Sequence, residues 1–265
     1  MKKARLICLF LILCTLISLS SCNNTPVLSV TCITFPEMKK IKAAEINNDM
    51  GLELDTRYQK YNDYYCFVAE EKGKLILTCK ENQEEHSRFM AMNYGYFLGS
   101  EYGEYGGLCK YYPYGETEGE LVSSSCCTGL FSINYDLGYM ISSDWVMSTS
   151  GHSALYRLSR GEGPNWSYDV IANFDSYTLC YLLSEDKSTL YVATFKQLLK
   201  INLEDGNVTV LHSPEYWVHL GPYSIVELEG SLYLGMTVGV YEYELETGKT
   251  AWYPIEYEKY VSSGE

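Results

Sequence analysis

Thr189-Leu-Tyr-Val-Ala-Thr-Phe-Lys-Gln-Leu-Leu-Lys-Ile-Asn-Leu-Glu-Asp-Gly206 aligns without a gap with Ser231-Leu-Tyr-Leu-Gly-Met-Thr-Val-Gly-Val-Tyr-Glu-Tyr-Glu-Leu-Glu-Thr-Gly248. The offset is 42 residues throughout, and Leu190/Leu232, Tyr191/Tyr233, Leu203/Leu245, Glu204/Glu246 and Gly206/Gly248 are identical. A repeat at this period is the first thing to settle in a chain rich in short β-prone runs, because it dictates the architecture. The second copy reads as four strands. Residues 223–228 lead through Glu229-Gly230 into 231–236, a third strand covers 238–245, and a fourth follows the turn 246–249. Gly248 suits the left-handed backbone position that such a turn needs.

Weaker copies lie upstream. Residues 131–143 followed by 154–163 repeat the scheme, and so do 89–99 followed by 107–115. The segment 66–79 reads as one hairpin, which could belong to a first, less regular unit. Four-stranded units of this length resemble the blades of a β-propeller. The fold class read here is therefore all-β: a β-propeller of four-stranded blades, about five of them. A β-sandwich or an open meander of hairpins is the alternative. Helical periodicity is nearly absent, and residues 36–46 form the one short helical candidate. Thr247-Gly248-Lys249-Thr250-Ala251-Trp252 resembles the end of quinoprotein-like repeats, a family in which this Trp docks one blade on its neighbour. No other unit carries a Trp there, so the resemblance implies blade architecture and no quinone; no cofactor is expected.

The N-terminus reads as an address. Lys2, Lys3 and Arg5 precede an apolar run from Leu6 to Leu19, too short for a spanning helix but suited to an export signal. The run ends in Leu19-Ser20-Ser21-Cys22, which resembles the lipobox of bacterial lipoproteins. That resemblance implies a diacylglycerol thioether on Cys22, cleavage just before it, and a place on the bacterial cell membrane or envelope, facing outside the cytoplasm. Several acyl chains, at about 0.8 kcal/mol per buried methylene, anchor stably where one does not. The domains expected are a signal peptide at 1–21, a lipidated N-terminus with tether at 22–59, and a propeller-like domain at 60–265.

Charge and cysteines fit an exported protein. The chain has 34 acidic against 20 basic residues, a formal charge of −14. Loss of Lys2, Lys3 and Arg5 would take it to −17. Such a surface is no nucleic-acid binder, because phosphate neutralisation needs clustered Lys and Arg. It also repels anionic head groups, so lipid rather than charge would hold the protein to its membrane. Of 10 cysteines, Cys8 and Cys14 belong to the signal and Cys22 to the anchor, which leaves an odd set. In 66–79, Lys72-Gly73 suits a two-residue hairpin turn that puts Cys66 directly opposite Cys79. This pair is a candidate disulfide; two buried thiols facing each other are the alternative. No Cys-x-x-Cys occurs and the four histidines are not at zinc spacing, so no metal site is expected.

Catalytic motifs are lacking. Asp63, Asp136, Asp144 and Asp175 fall near inner-strand starts or blade junctions, where propeller glycosidases place their carboxylates, but none lies in a motif. Ser150-Gly151-His152 has no nucleophile elbow around it. No catalytic residue is assigned. The positive signal is aromatic. Of 26 tyrosines, seven fall between Tyr94 and Tyr114, interleaved with glycines. Tyrosine supplies flat apolar area plus a hydroxyl at low entropic cost, which suits sugar or protein recognition. Strand tyrosines such as Tyr191, Tyr233 and Tyr243 are expected between blades. The glycine-flanked Tyr102 and Tyr105, and Tyr216 with Trp217 in a connection between units, are the candidate ligand-binding residues.

Two readings follow. The first is a membrane-anchored, non-catalytic binding or scaffold lipoprotein for a protein or glycan ligand. The alternative is a small propeller-type glycan-processing enzyme on the same scaffold, which would need paired carboxylates in its channel.

Overall fold

A computed structural model describes residues 41–42, 64–81, 87–146, 150–160, 166–214, 217–237 and 239–254. Its strands form five antiparallel sheets. The first is a hairpin of β2 (Tyr64–Glu71) and β3 (Lys74–Glu81), preceded in the chain by the short β1 (Ile41–Lys42). The second contains β4 (Ser87–Met92), β5 (Gly95–Glu101), β6 (Gly107–Pro113) and β7 (Glu120–Ser123). The third contains β8 (Cys126–Asn134), β9 (Leu137–Val146), β10 (Ser150–Arg160) and β11 (Trp166–Phe174). In the fourth are β12 (Thr178–Leu183), β13 (Thr189–Thr194), β14 (Leu198–Asn202) and β15 (Val208–His212). A single helical turn, α1 (Trp217–Leu220), leads to the fifth: β16 (Ser224–Leu228), β17 (Ser231–Met236), β18 (Gly239–Glu244) and β19 (Thr250–Pro254), with β1 added beyond β19.

Each sheet is a meander and the sheets follow one another face to face. β4 meets β8, β8 meets β12, β12 meets β16, and β16 meets β2. This is a β-propeller of about five blades, the first reduced to two strands among the described residues. The repeat supplies two matching blades. β13 and β17 begin at Thr189 and Ser231, and the glycines at their shared turn have φ +74° at Gly206 and +68° at Gly248. The Lys72-Gly73 and Glu229-Gly230 turns carry positive φ at both residues, the backbone twist that suits two-residue hairpins.

Packing explains the sequence pattern. β13 is buried along nearly its whole length because both faces of an interior blade are covered. One core lies between the second and third sheets around Met90, Phe97, Tyr111 and Met140. A second joins the third and fourth around Ile141, Leu155, Val192 and Ile201. The largest joins the hairpin to the fifth sheet around Leu77, Leu234, Tyr241 and Trp252. Tyr191 and Tyr243 are buried in that core and Tyr233 packs against it, as expected for strand tyrosines.

One local expectation is corrected. Ile41 and Lys42, inside the helical candidate 36–46, instead pair with Trp252 and Ala251 of β19. The outer edge of β19 offers unpaired backbone groups, and tertiary pairing there outweighs a weak local helix preference.

Candidate ligand-binding surface

The glycine-flanked tyrosines form a short loop at the end of β5. Tyr102 N–H donates to the Gly106 carbonyl at 2.8 Å, and Tyr105 N–H donates to the Tyr102 carbonyl at 3.1 Å. Residues 103–105 make one 3-10 turn between them. Gly103 and Gly106 have φ of +56° and +81°, and a Cβ on either would meet nothing within 4 Å, so it is backbone conformation rather than space that demands glycine. The turn aims both rings outward: Tyr102 is 53% exposed and Tyr105 94%.

The loop rests on a partly buried polar anchor. Glu101 accepts a short hydrogen bond from the Tyr177 hydroxyl, and the Arg88 guanidinium lies 3.4 Å from its other carboxylate oxygen. The Cys126 thiol donates to the Gly103 carbonyl at 3.4 Å. Burial, reinforced by the Glu101 carboxylate, pushes the Tyr177 phenol well above its usual range. Burial likewise pushes the Cys126 thiol up. Both groups therefore stay protonated as donors, and the second, third and fourth blades meet beneath the loop.

The other candidate residues behave differently. Trp217 corrects the expectation of a ligand-facing ring. It is fully buried in α1, edge-on to Tyr241 at 5.5 Å and beside His212, and it leaves no ring surface for a ligand. Apolar area of that size is worth more against the core than in a connection. Tyr216, Cys22 and Asp63 lie outside the described residues. The hairpin register places Cys66 directly opposite Cys79. Asp136 takes a hydrogen bond from Asn93 at 3.1 Å, and Arg160 lies 3.7 Å away, so it ties two blades together. Asp175 pairs with His152 at 3.1 Å with both side chains in solvent, and Asp144 is exposed.

Two surfaces escaped sequence reasoning. A groove of about 1050 Å3 opens where β2, β12 and β16 end, lined by Glu70, Glu185, Asp186, Glu227, Glu229 and Lys200. Ser184 and Ser188 donate to Asp186 and hold its carboxyl down at about 2. These acids fall on separate strands and turns, so only the meeting of three strand ends shows them as a group. The other surface is aromatic. Tyr96 stacks on Tyr112 at 5.2 Å, Phe89 lies 5.4 Å from Tyr96, and Tyr114 lies 6.4 Å from it. Alternation along β4, β5 and β6 could have put most of these rings on one face, but not shown how far that face is exposed. Among the described residues, no group of His, Cys, Asp and Glu is arranged to hold a metal ion, and no helix is long and apolar enough to cross a membrane.

No protein-family model matches the chain, and no curated protein does. Among solved structures, it is similar to the extracellular domain of a hybrid two component system of B. thetaiotaomicron, at 13% identity and TM-score 0.34. That match covers 66% of this chain and 29% of the other, so the chain spans under a third of that protein's length. The CNH domain of AfRom2 matches at 10% identity and TM-score 0.39, with 68% of each chain covered. TolB from Acinetobacter baumannii matches at 10% identity and TM-score 0.27, over 82% of this chain and 71% of that one.

Proposed function

We propose that this protein is an exported, lipid-anchored binding module, whose propeller presents tyrosines to a protein or glycan outside the cytoplasm without catalysis of its own. The observation that carries the reading is the loop of Tyr102 and Tyr105, which a partly buried Glu101–Tyr177 contact holds in place while Tyr102 is half exposed and Tyr105 stands in solvent. A ligand meeting such a loop pays little ordering entropy, because its backbone is already fixed. The lipobox Leu19-Ser20-Ser21-Cys22 supports the anchor.

Capture of envelope glycans and proteins by wild type and by Tyr102→Ala/Tyr105→Ala tests the loop. Loss of capture in the variant is the expected result; unchanged capture removes the loop from the site. Metabolic acyl labelling tests the anchor. Wild type should take label and Cys22→Ala should not; label on the variant refutes the assignment.

The acidic groove favours one second reading, the glycan-processing enzyme, because it gathers carboxylates from three strand ends. Hydrolysis of a glycan that is abolished by Glu227→Gln, with folding intact, would establish it in place of the first.

A further inference from the structure

The β4–β7 sheet has one buried face and one partly exposed face, on which Phe89, Leu98 and Leu121 are exposed and Tyr96, Lys110 and Tyr112 are half-buried. Met90, Met92, Phe97, Cys109 and Tyr111 point at the third sheet and are buried. Strand alternation sends Phe89, Tyr96, Leu98, Lys110, Tyr112 and Leu121 to the opposite face, where the register lays them side by side across four strands. Phe89 is 64% exposed and Leu121 56%. In a propeller this face would meet the preceding blade. Here that blade is a two-stranded hairpin among the described residues, and it lies against β16, β17 and β18 instead.

The rings on this face are held rather than loose. Tyr112 is stacked on Tyr96 at an interplanar angle of 10°, and Gly119, which has no room for a Cβ, lies against its ring. At the turn between β4 and β5, Tyr94 has φ +70°, a strained setting for an aromatic residue. Its carbonyl accepts the Tyr114 N–H at 2.9 Å and the Arg160 guanidinium covers its ring at 3.9 Å, so this end of the surface is fixed too.

Resting on the binding-module reading, we propose that the outward face of the β4–β7 sheet is a second platform, separate from the Tyr102–Tyr105 loop, and that it binds an uncharged, extended glycan. Size and charge select that occupant. Three strand spacings of about 4.8 Å by six residues at about 3.3 Å give a face of roughly 300 Å2, well below the roughly 800 Å2 per partner of a stable protein interface. Lys110 is the single charged side chain the alternation places on this face, in a chain of formal charge −14. An acidic polymer would be repelled by the rest of the molecule, and a basic one would find no carboxylate on the face. Flat rings with hydroxyl edges suit the apolar faces and hydroxyl rims of neutral sugars.

The test is affinity electrophoresis of the full chain, in detergent, through gels containing neutral β-glucan, mannan or xylan, with polygalacturonate as the acidic comparison. Wild type and Tyr102→Ala/Tyr105→Ala should be retarded by at least one neutral glycan, with little change between about 50 and 500 mM salt. Phe89→Ala/Tyr96→Ala should bind about tenfold or more weakly, the scale seen when a stacking ring is removed. Tyr96→Phe, which keeps the ring, should bind as wild type; a matching thermal transition shows that each variant is folded. Retardation lost in the loop variant but kept in Phe89→Ala/Tyr96→Ala overturns the platform while sustaining the binding module. Retardation by polygalacturonate alone, or a dimer or protein complex that Phe89→Ala/Tyr96→Ala dissolves, overturns the glycan assignment. No retardation of any form by any neutral glycan overturns the platform, whatever the capture experiment on the loop returns.

Discussion

Two glycines at the same place in the repeat illustrate how a residue's cost is set by its surroundings. Gly206 and Gly248 share a left-handed backbone, but a Cβ on Gly206 would fall 1.9 Å from the Ile171 carbonyl of the neighbouring blade. On Gly248 it would meet only the Tyr243 hydroxyl, at 3.4 Å. Gly248→Ala should therefore cost about 1–2 kcal/mol for the left-handed backbone alone. Gly206→Ala should cost more than about 3 kcal/mol, because backbone cannot yield as a side chain does. Urea unfolding of the two variants measures the difference. His212 offers a pH test at the same scale. Burial holds its imidazole below the ordinary range, where it stacks with Tyr241 at 5.7 Å. The unfolded chain then takes up this proton at higher pH than the folded one, so stability present above about pH 6.5 declines as the pH falls through that value. His212→Phe keeps a ring on Tyr241 and removes the proton; its melting temperature should fall less than that of wild type between about pH 7 and 5.

At the scale of elements, the hairpin shows what turn chemistry dictates. Positive φ at Lys72 and Gly73 closes a two-residue turn, and every pairing from Glu71↔Lys74 out to Tyr64↔Glu81 follows from it. Cys66 and Cys79 are backbone partners by that register, and the Cys66 thiol donates to the Thr237 carbonyl at 3.8 Å. Alkylation of the unfolded, unreduced protein separates the two readings of this pair: label taken up by both only after reduction establishes a bridge, and label on both before reduction establishes two thiols. The repeat and its turns were legible because each strand ends in a local signal. The helical candidate at 36–46 misled for the opposite reason. The partner of Ile41–Lys42 is β19, more than two hundred positions away, and no local pattern announces such a pairing.

The whole molecule is held by contacts between the two ends of the chain. Val68 N–H donates to the Ser224 hydroxyl at 2.8 Å, which joins the N-terminal hairpin to the last blade. Gly235 lets the hairpin come that close, since a Cβ there would sit 2.2 Å from the Cys66 carbonyl. Gly235→Ala should push the hairpin away from β17 at a cost of about 1–3 kcal/mol, as overpacking does. Hydrogen exchange checks it: protection should drop in β2, β3, β16 and β17, while β8–β11 stays as in wild type. Among the described residues the hairpin docks against the last blade rather than on the β4–β7 sheet, whose outward aromatic face is partly exposed.

Sequence by itself determined the repeat, the strands of the last blade, the left-handed turns, the hairpin register and the exposed setting of Tyr102 and Tyr105. All of these are written in neighbours a few residues apart, where glycine and alternation act directly. Only the tertiary structure decided that Trp217 is buried, that acids from separate strand ends and turns share one groove, and that Phe89 is exposed beside a half-buried Tyr96. Alternation says that a strand has two faces. In β5 both are apolar, Phe97 on one and Tyr96 with Leu98 on the other, so composition cannot say which is covered. That depends on where the next sheet lies, and the next sheet is placed by contacts between distant parts of the chain.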